Sequence, residues 1–196
     1  MLKHYKYSDI DKLADILKQN GIIIVPTDTV YGLCGITTKK VHDKLYLVKK
    51  RPKNKLFPVM CANKEQIKKI AYINEIENKI IDSFMPGAIT IILKKKKDFL
   101  PYIKSDTIAV RLAPNKLIEE LILKINKPLF MTSANISGSN PCDAVFDMES
   151  CFPSIDGIVE GKQTKKIPST IIDCSDKIPK LLREGPITIE EIKNKL

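Results

Sequence analysis

The chain has no tryptophan, two histidines and eight glycines in 196 residues, and each shortage removes a class of chemistry. His4 and His42 are too few for a histidine-based metal centre, and the same scarcity argues against a Ser-His-Asp triad. The five cysteines (Cys34, Cys61, Cys142, Cys151 and Cys174) are odd in number and widely spaced, with no Cys-x-x-Cys pair. That argues against a disulfide framework and a structural zinc site, and it reads most of them as buried small apolar residues. No Gly-x-x-x-x-Gly-Lys occurs, so there is no Walker P-loop. A nucleoside triphosphate would have to be neutralised by side-chain cations instead of a glycine cradle. No apolar run reaches the roughly 18 residues of a membrane span. The first six residues carry Lys3, His4 and Lys6 without the apolar core of a signal peptide. The expectation is a cytoplasmic protein with no membrane contact.

Acidic residues are also in short supply: 23 against 33 Lys and Arg, for a net charge of +10. The excess favours anionic partners such as nucleotides, phosphates or RNA. Lysine dominates it and is spread along the chain, as a general compositional bias would produce. The six Phe and six Tyr are scattered, which weighs against an aromatic platform for stacking bases.

What is present is globular: 43% hydrophobic and 29% charged residues, in a length that suits one domain with a real core. Helical spacing is read over residues 8–18, 40–50, 63–71, 75–84, from Pro114 onward, and over 143–151. Strands are read at 22–25, 57–61, 88–93, 107–112, 128–132, 155–159, 169–173 and 179–183. Lys94 to Lys97 reads as a solvated turn. Thr188 with Glu191 forms a capping box for a short last helix. Helices and strands alternate without a repeat or linker, so the expected fold is α/β, a mixed sheet in a single domain over 1–196.

The stretch from Gly21 to Gly35 stands out. Four β-branched residues, Ile22 to Val25, predict a strand buried on both faces, and Pro26 ends it. Thr27, Asp28, Thr29 and Tyr31 then bring polar groups to the carboxyl end of that strand, where α/β sheets bind ligands. Gly32 and Gly35 suit tight turns or close approach to a ligand. Further on, Lys49, Lys50, Arg51 and Lys55 place four cations within seven positions. They could serve a phosphate or simply form a solvated helix end facing its own dipole. Arg111 ends the apolar run 108–112, where an arginine is costly unless it is ion-paired or faces a cavity. Ser133-x-Asn135 consists of ordinary turn formers following a strand.

The segment Pro26-Thr27-Asp28-Thr29-Val30-Tyr31-Gly32-Leu33 resembles the opening motif of the YrdC/Sua5 family, the threonylcarbamoyl-AMP synthases. Lys49-x-Arg51, Val110-Arg111, Thr132 to Gly138, Pro168-Ser169-Thr170 and Leu182-Arg183-x-Gly185 match later family segments in order. The resemblance runs from about Asp9 to Pro186 and is to the short, single-domain type. It implies a twisted, partly open mixed sheet around a concave cavity. It implies a nucleotidyltransferase that makes threonylcarbamoyl-AMP and pyrophosphate from L-threonine, bicarbonate or CO2, and ATP. Thr27, Tyr31 and Arg111 would bind threonine, with Arg111 on its carboxylate. Lys49 and Arg51 would serve catalysis and, with Lys55, neutralise the triphosphate. Ser133, Asn135, Ser169 and Arg183 would fix the nucleotide. Magnesium (Mg2+) would be held by ATP phosphates, with no protein metal site. The product would pass to a threonylcarbamoyl transferase complex that makes t6A in tRNAs reading codons that begin with A, and weak tRNA binding would accompany it. The pattern departs at Leu56, where many members have proline, and at Met60-Cys61, where some have histidine. Two rival readings are an RNA-binding module of the same fold and a paralogue with another carbamoyl-type activity. The intact Lys49-x-Arg51 and Ser133-x-Asn135 favour the synthase.

Overall fold

The alternation of aliphatic runs and helical repeats folds into one mixed sheet with helices around it. The computed structural model describes residues 2–142, 144–161 and 167–196. In chain order its first half runs β1 (His4–Tyr5), α1 (Ile10–Lys18), β2 (Ile23–Val25), β3 (Gly32–Ile36), α2 (Lys39–Lys49), β4 (Val59–Cys61), α3 (Lys64–Ile70), α4 (Glu75–Phe84) and β5 (Ile89–Lys94). The second half adds β6 (Thr107–Leu112), α5 (Lys116–Ile125), β7 (Leu129–Ser133), α6 (Val145–Cys151), β8 (Gly157–Val159), β9 (Thr170–Asp173), β10 (Lys180–Arg183) and α7 (Ile189–Lys193). The strand order across the sheet is β1-β8-β2-β3-β7-β4-β6-β5-β9-β10. Parallel pairs (β1 with β8, β2 with β8, β4 with β6, β5 with β9) mix with antiparallel ones. Strands β2, β3 and β4 are buried along their whole length, as expected of continuous apolar runs covered on both faces.

The helices start where side chains satisfy their free N–H groups. Thr38, Asn63 and Asn115 accept from the N–H of Val41, Gln66 and Ile118. Asn74 with Glu77, and Thr188 with Glu191, form reciprocal capping boxes. On the buried sides, Leu13, Ala14 and Leu17 of α1 and Leu117, Ile118, Leu121 and Ile122 of α5 join the core, and the two helices pack together.

Four expectations change. Residues 32–36 form a central strand, β3, paired with both β2 and β7. Gly35 serves packing there: a Cβ would lie 2.6 Å from Val41 Cγ1 and 3.0 Å from the Gly21 carbonyl. The lysine run at 94–97 is not simply a solvated turn. Lys95 is buried, and its ammonium donates to the carbonyls of Phe99 (3.0 Å), Leu100 (3.3 Å) and Ile103 (3.2 Å), closing the loop that follows β5. The helix after Pro114 begins at Lys116, capped by Asn115. The helix read over 143–151 spans Val145–Cys151, and Asp143 lies outside the described residues. No helix among the described residues is long and apolar enough to cross a membrane.

The two histidines have opposite surroundings. His42 packs among aromatic rings, with centroids 4.9 Å from Tyr46 and 5.5 Å from both Tyr102 and Phe130. Burial lowers its pKa. His4 hydrogen-bonds to Glu149 at 2.9 Å and lies 3.3 Å from Glu160, and the Glu149 bond in particular raises its pKa. A depressed histidine contributes stability above the unfolded value near 6.5 and loses it as pH falls. A raised histidine does the reverse. His42→Leu should therefore lessen the loss of stability between about pH 7 and 5, read as urea midpoints across that range. An unchanged pH profile would show that His42 does not titrate with folding.

Candidate active site

Strand ends from both halves of the sheet converge on one concave cleft of about 200 Å³, lined by Thr27, Tyr31, Arg51, Arg111, Ser133, Ser169 and Arg183 among others. Seven of the ten residues singled out from the sequence thus meet around one space. They come from positions as far apart as 27 and 183, which only the sheet topology brings together.

The turn after β2 is closed by its own hydroxyls. Thr27 Oγ1 donates to the Val30 carbonyl (2.6 Å) and accepts the Thr29 N–H (3.1 Å). Tyr31 is buried and its hydroxyl donates to the Gly161 carbonyl. Arg111 projects from β6 and is buried. Its Nε donates to the Gly87 carbonyl (2.9 Å) and one terminal nitrogen grips both Asp28 oxygens (2.6 and 2.7 Å). The other terminal nitrogen lies 3.4 Å from Thr29 Oγ1. Burial pulls the guanidinium pKa down and Asp28 pulls it back up. Of the two sequence readings of Arg111, ion pair and cavity residue, the structure contains both at once.

Arg183, at the end of β10, folds onto the residue before β9. Its Nε and a terminal nitrogen donate to the Ser169 carbonyl (3.0 and 2.8 Å). Ser169 Oγ is 2.9 Å from Thr90 Oγ1. Gly185 allows this closeness, since a Cβ there would come within 2.4 Å of the Pro168 carbonyl. Arg51 follows α2 and wraps onto its own loop. It donates to the carbonyls of Lys55 and Leu56, both at 2.8 Å, and its guanidinium lies 5.0 Å from the Phe57 ring centroid. Three guanidiniums therefore border one cleft. Burial lowers the pKa of Arg183, and the positive charge of Arg111 lowers it further. Such a site favours an anionic ligand.

Three expected residues do not line the cleft. Lys55 is exposed and contributes its carbonyl, which accepts from Arg51 and from the Tyr46 hydroxyl (2.9 Å). Asn135 lies inside its loop, where its amide donates to the carbonyls of Ile136 (2.8 Å) and Ser139 (2.7 Å) and its Oδ1 accepts from Ser133 Oγ (2.6 Å). Lys49, expected at the phosphates, supports the loop after β7 in this structure. It is 1% exposed, and its ammonium donates to the carbonyls of Ser133 (2.5 Å) and Asn135 (2.7 Å) and to Asn135 Oδ1 (3.0 Å). Its three protons have three acceptors, which leaves none aimed into the cleft. Burial, with the nearby Arg51 charge, brings its pKa down to about 7, and hydrogen bonds to three oxygen acceptors work the other way, since they favour the charged form.

Thr90 and Thr132 also line the cleft and were not singled out. The available signal for Thr90 was a lone hydroxyl in an otherwise aliphatic strand.

A family model described as Telomere recombination, which groups Sua5, YciO and YrdC proteins, matches residues 15–185. This chain belongs to the Sua5/YciO/YrdC family. A Methanocaldococcus jannaschii relative within reach of this family, named putative threonylcarbamoyl-AMP synthase, is 35% identical over 98% of this chain and 96% of its own length. The Bacillus subtilis threonylcarbamoyl-AMP synthase is also 35% identical, over 94% of this chain but only 55% of its own length. The crystal structure of P. abyssi Sua5 complexed with L-threonine aligns with a TM-score of 0.92 at 27% identity, over 100% of this chain and 61% of that one. The chain thus spans little more than half of the longer Sua5-type relatives and nearly all of the shorter one.

The caged lysine can be tested without any ligand. Lys49→Met keeps the stem but takes the ammonium away from three acceptors. Asn135 Oδ1 still accepts from Ser133 Oγ and the Ser133 carbonyl from the Asn135 N–H, so the loss falls mainly on the buried Asn135 carbonyl and should cost on the order of 1–3 kcal/mol. Urea unfolding would read this as a lower midpoint. A variant as stable as the parent would remove the cage from the account.

Proposed function

We propose that this chain condenses L-threonine, bicarbonate or CO2, and ATP into threonylcarbamoyl-AMP and pyrophosphate. One observation carries the reading: Arg51, Arg111 and Arg183 border a single cleft together with the hydroxyls of Ser133 and Ser169. The names of the M. jannaschii and B. subtilis relatives, and the threonine bound to P. abyssi Sua5, support the choice of substrate.

In this reaction the threonine nitrogen bonds to the carbon of CO2, or to bicarbonate with loss of water. A carbamate oxygen then attacks the α-phosphorus of ATP. A new O–P bond forms, the bond to the bridging oxygen breaks, and pyrophosphate leaves. Such chemistry calls for alignment and charge neutralisation more than for a protein nucleophile. Arg111, held on its far side by Asp28 and Gly87, offers its remaining edge to the threonine carboxylate, and Thr27 and Tyr31 bound the rest of the amino acid. Arg51 and Arg183 face the phosphates, Ser169 donates to a nucleotide oxygen, and Ser133, whose proton is given to Asn135 Oδ1 before the ligand arrives, turns it to the nucleotide on binding. Lys49 and Asn135 keep Ser133 in position. Phosphate entering the cleft favours the charged form of Lys49.

Among the described residues no three His, Cys, Asp or Glu side chains gather to hold a metal. Asp28, between the cleft residues Thr27 and Thr29, is paired with Arg111. Magnesium in this proposal arrives as part of the substrate, bound to ATP phosphates. The product, a reactive acyl adenylate, requires a transferase that accepts it for t6A formation. The +10 charge supports weak, salt-sensitive tRNA contact alongside catalysis.

Purified protein given ATP, threonine and bicarbonate should release pyrophosphate only when both small substrates are present, and without RNA. Release that ignores threonine would point to a general ATPase or a paralogue with another carbamoyl acceptor, and an absolute need for tRNA would support the RNA-binding reading.

Within that assay, Arg111→Lys keeps charge but cannot satisfy Asp28, Gly87 and a carboxylate together. It should raise the threonine KM roughly tenfold or more, the loss of one charge-assisted hydrogen bond, with the ATP KM nearly unchanged. Equal rises for both substrates would make Arg111 a purely structural ion-pair partner.

A further inference from the structure

Cys142 and Cys151 carry none of the roles described so far. Nine positions separate them in the chain, and no sequence motif joins them. The structure brings their sulfurs to 3.7 Å, with the Cys142 thiol donating to Cys151. The other three cysteines, Cys34, Cys61 and Cys174, are buried apart from them. Cys142 is buried and Cys151, in the last turn of α6, is half-buried. Both cysteines border a shallow surface depression that is also lined by Asp147 and Ser150.

We infer that Cys142 and Cys151 form a reversible dithiol–disulfide site, oxidised by small disulfides that reach this depression. The more exposed Cys151 is the entry point. Its thiolate attacks one sulfur of the small disulfide, the external S–S bond breaks, and one small thiolate leaves and takes up a proton. Cys142 then gives its proton to solvent and attacks the Cys151 sulfur in the mixed disulfide, and the second small thiolate leaves. Two protein thiols are oxidised and one small disulfide is reduced to two thiols. Closing the sulfurs from 3.7 Å to bonding distance asks for a side-chain adjustment within α6 and the preceding loop, not for a rearranged sheet. Asp147 in the depression favours a cationic disulfide over an anionic one.

The site bears on the loop that carries Ser133 and Asn135. The Cys142 N–H donates to the Ala134 carbonyl (2.9 Å), and the Ala134 N–H donates to Tyr31 (2.7 Å). A bridge to Cys151 would tie α6 to that chain of contacts. Burial holds the Cys142 thiol up at about 12, with its hydrogen bond to Cys151 adding to the effect, so Cys151 reacts first and closure by Cys142 is the slower of the two steps. This inference stands whether or not the proposed synthase activity is right.

The test uses the full chain with cystamine as the small disulfide, followed by non-reducing peptide mapping. The expected product is one intramolecular bridge, Cys142 to Cys151, reversed by dithiothreitol, with Cys34, Cys61 and Cys174 still free. In Cys142→Ser the reaction should halt at a stable cysteamine adduct on Cys151, and in Cys151→Ser neither adduct nor bridge should form. The bridged parent should melt about 5 °C higher than the reduced form. A persistent cysteamine adduct on Cys151 in the parent chain, bridging that involves one of the other three cysteines, or a bridged form that melts no higher would each overturn the inference.

Discussion

The ammonium of Lys49 is the interaction on which the candidate site rests. It sits at the end of α2, under the loop that leaves β7, and joins two elements that are far apart in sequence. The link is made twice, because the Lys49 carbonyl also accepts the Ser137 N–H at 2.9 Å. Backbone and side chain of one residue thus hold both ends of the Ser133–Ser137 turn. From there the constraint spreads: Ala134 is held to Tyr31 and Cys142, and Ser133 is aimed through Asn135. A buried cation next to Arg51 is an expensive way to hold a loop. Its use here makes the loop sensitive to the charge of whatever occupies the neighbouring cleft.

The three arginines follow a common arrangement. Each has one edge tied to a backbone carbonyl close by: Lys55 and Leu56 for Arg51, Gly87 for Arg111, Ser169 for Arg183. A guanidinium held in this way has already lost its rotamer freedom before a ligand arrives, so less entropy is lost on binding. Like charges facing one another without a ligand raise the energy of the ligand-free state. The stability of the surrounding sheet bears that cost, and electrostatic preorganisation is the return.

Much of this was legible in the chain because it obeys local rules. The run at 22–25 is a strand, the Asn and Thr caps start helices, and the polar residues after Pro26 do meet a cleft. Arg111 was legible for the same reason, since an arginine in an aliphatic strand must be answered by something. Local pattern does not report which neighbour answers. Nothing near Lys49 or Lys95 distinguishes a lysine caged by carbonyls from one in water, because the acceptors are backbone atoms supplied by a loop that turns back over it. The same holds for β1 and β3. A two-residue strand has no period to detect, and Gly32 to Ile36 carries two glycines that suggest a turn until Val41 and Gly21 are seen pressing against Gly35. The Cys142–Cys151 contact depends on how α6 sits against the preceding loop, which spacing alone does not encode.

The order of strands across the sheet has a consequence in time. One edge is built from the first and a late part of the chain, with Tyr5 opposite Val159, and on the other side β5 pairs in parallel with β9, with Ile89 opposite Thr170. A chain emerging residue by residue from a ribosome can form the antiparallel pair of β2 and β3 early. It cannot flank β2 with β8, or finish the cleft with Ser169 and Arg183, until almost all of it has been made. Pairings this distant in sequence close slowly, so the protein belongs with slow-folding, high-contact-order domains. In the interval, the apolar edges of β2 and β5 stand uncovered, and a nascent chain halted before residue 157 would carry them as adhesive surfaces.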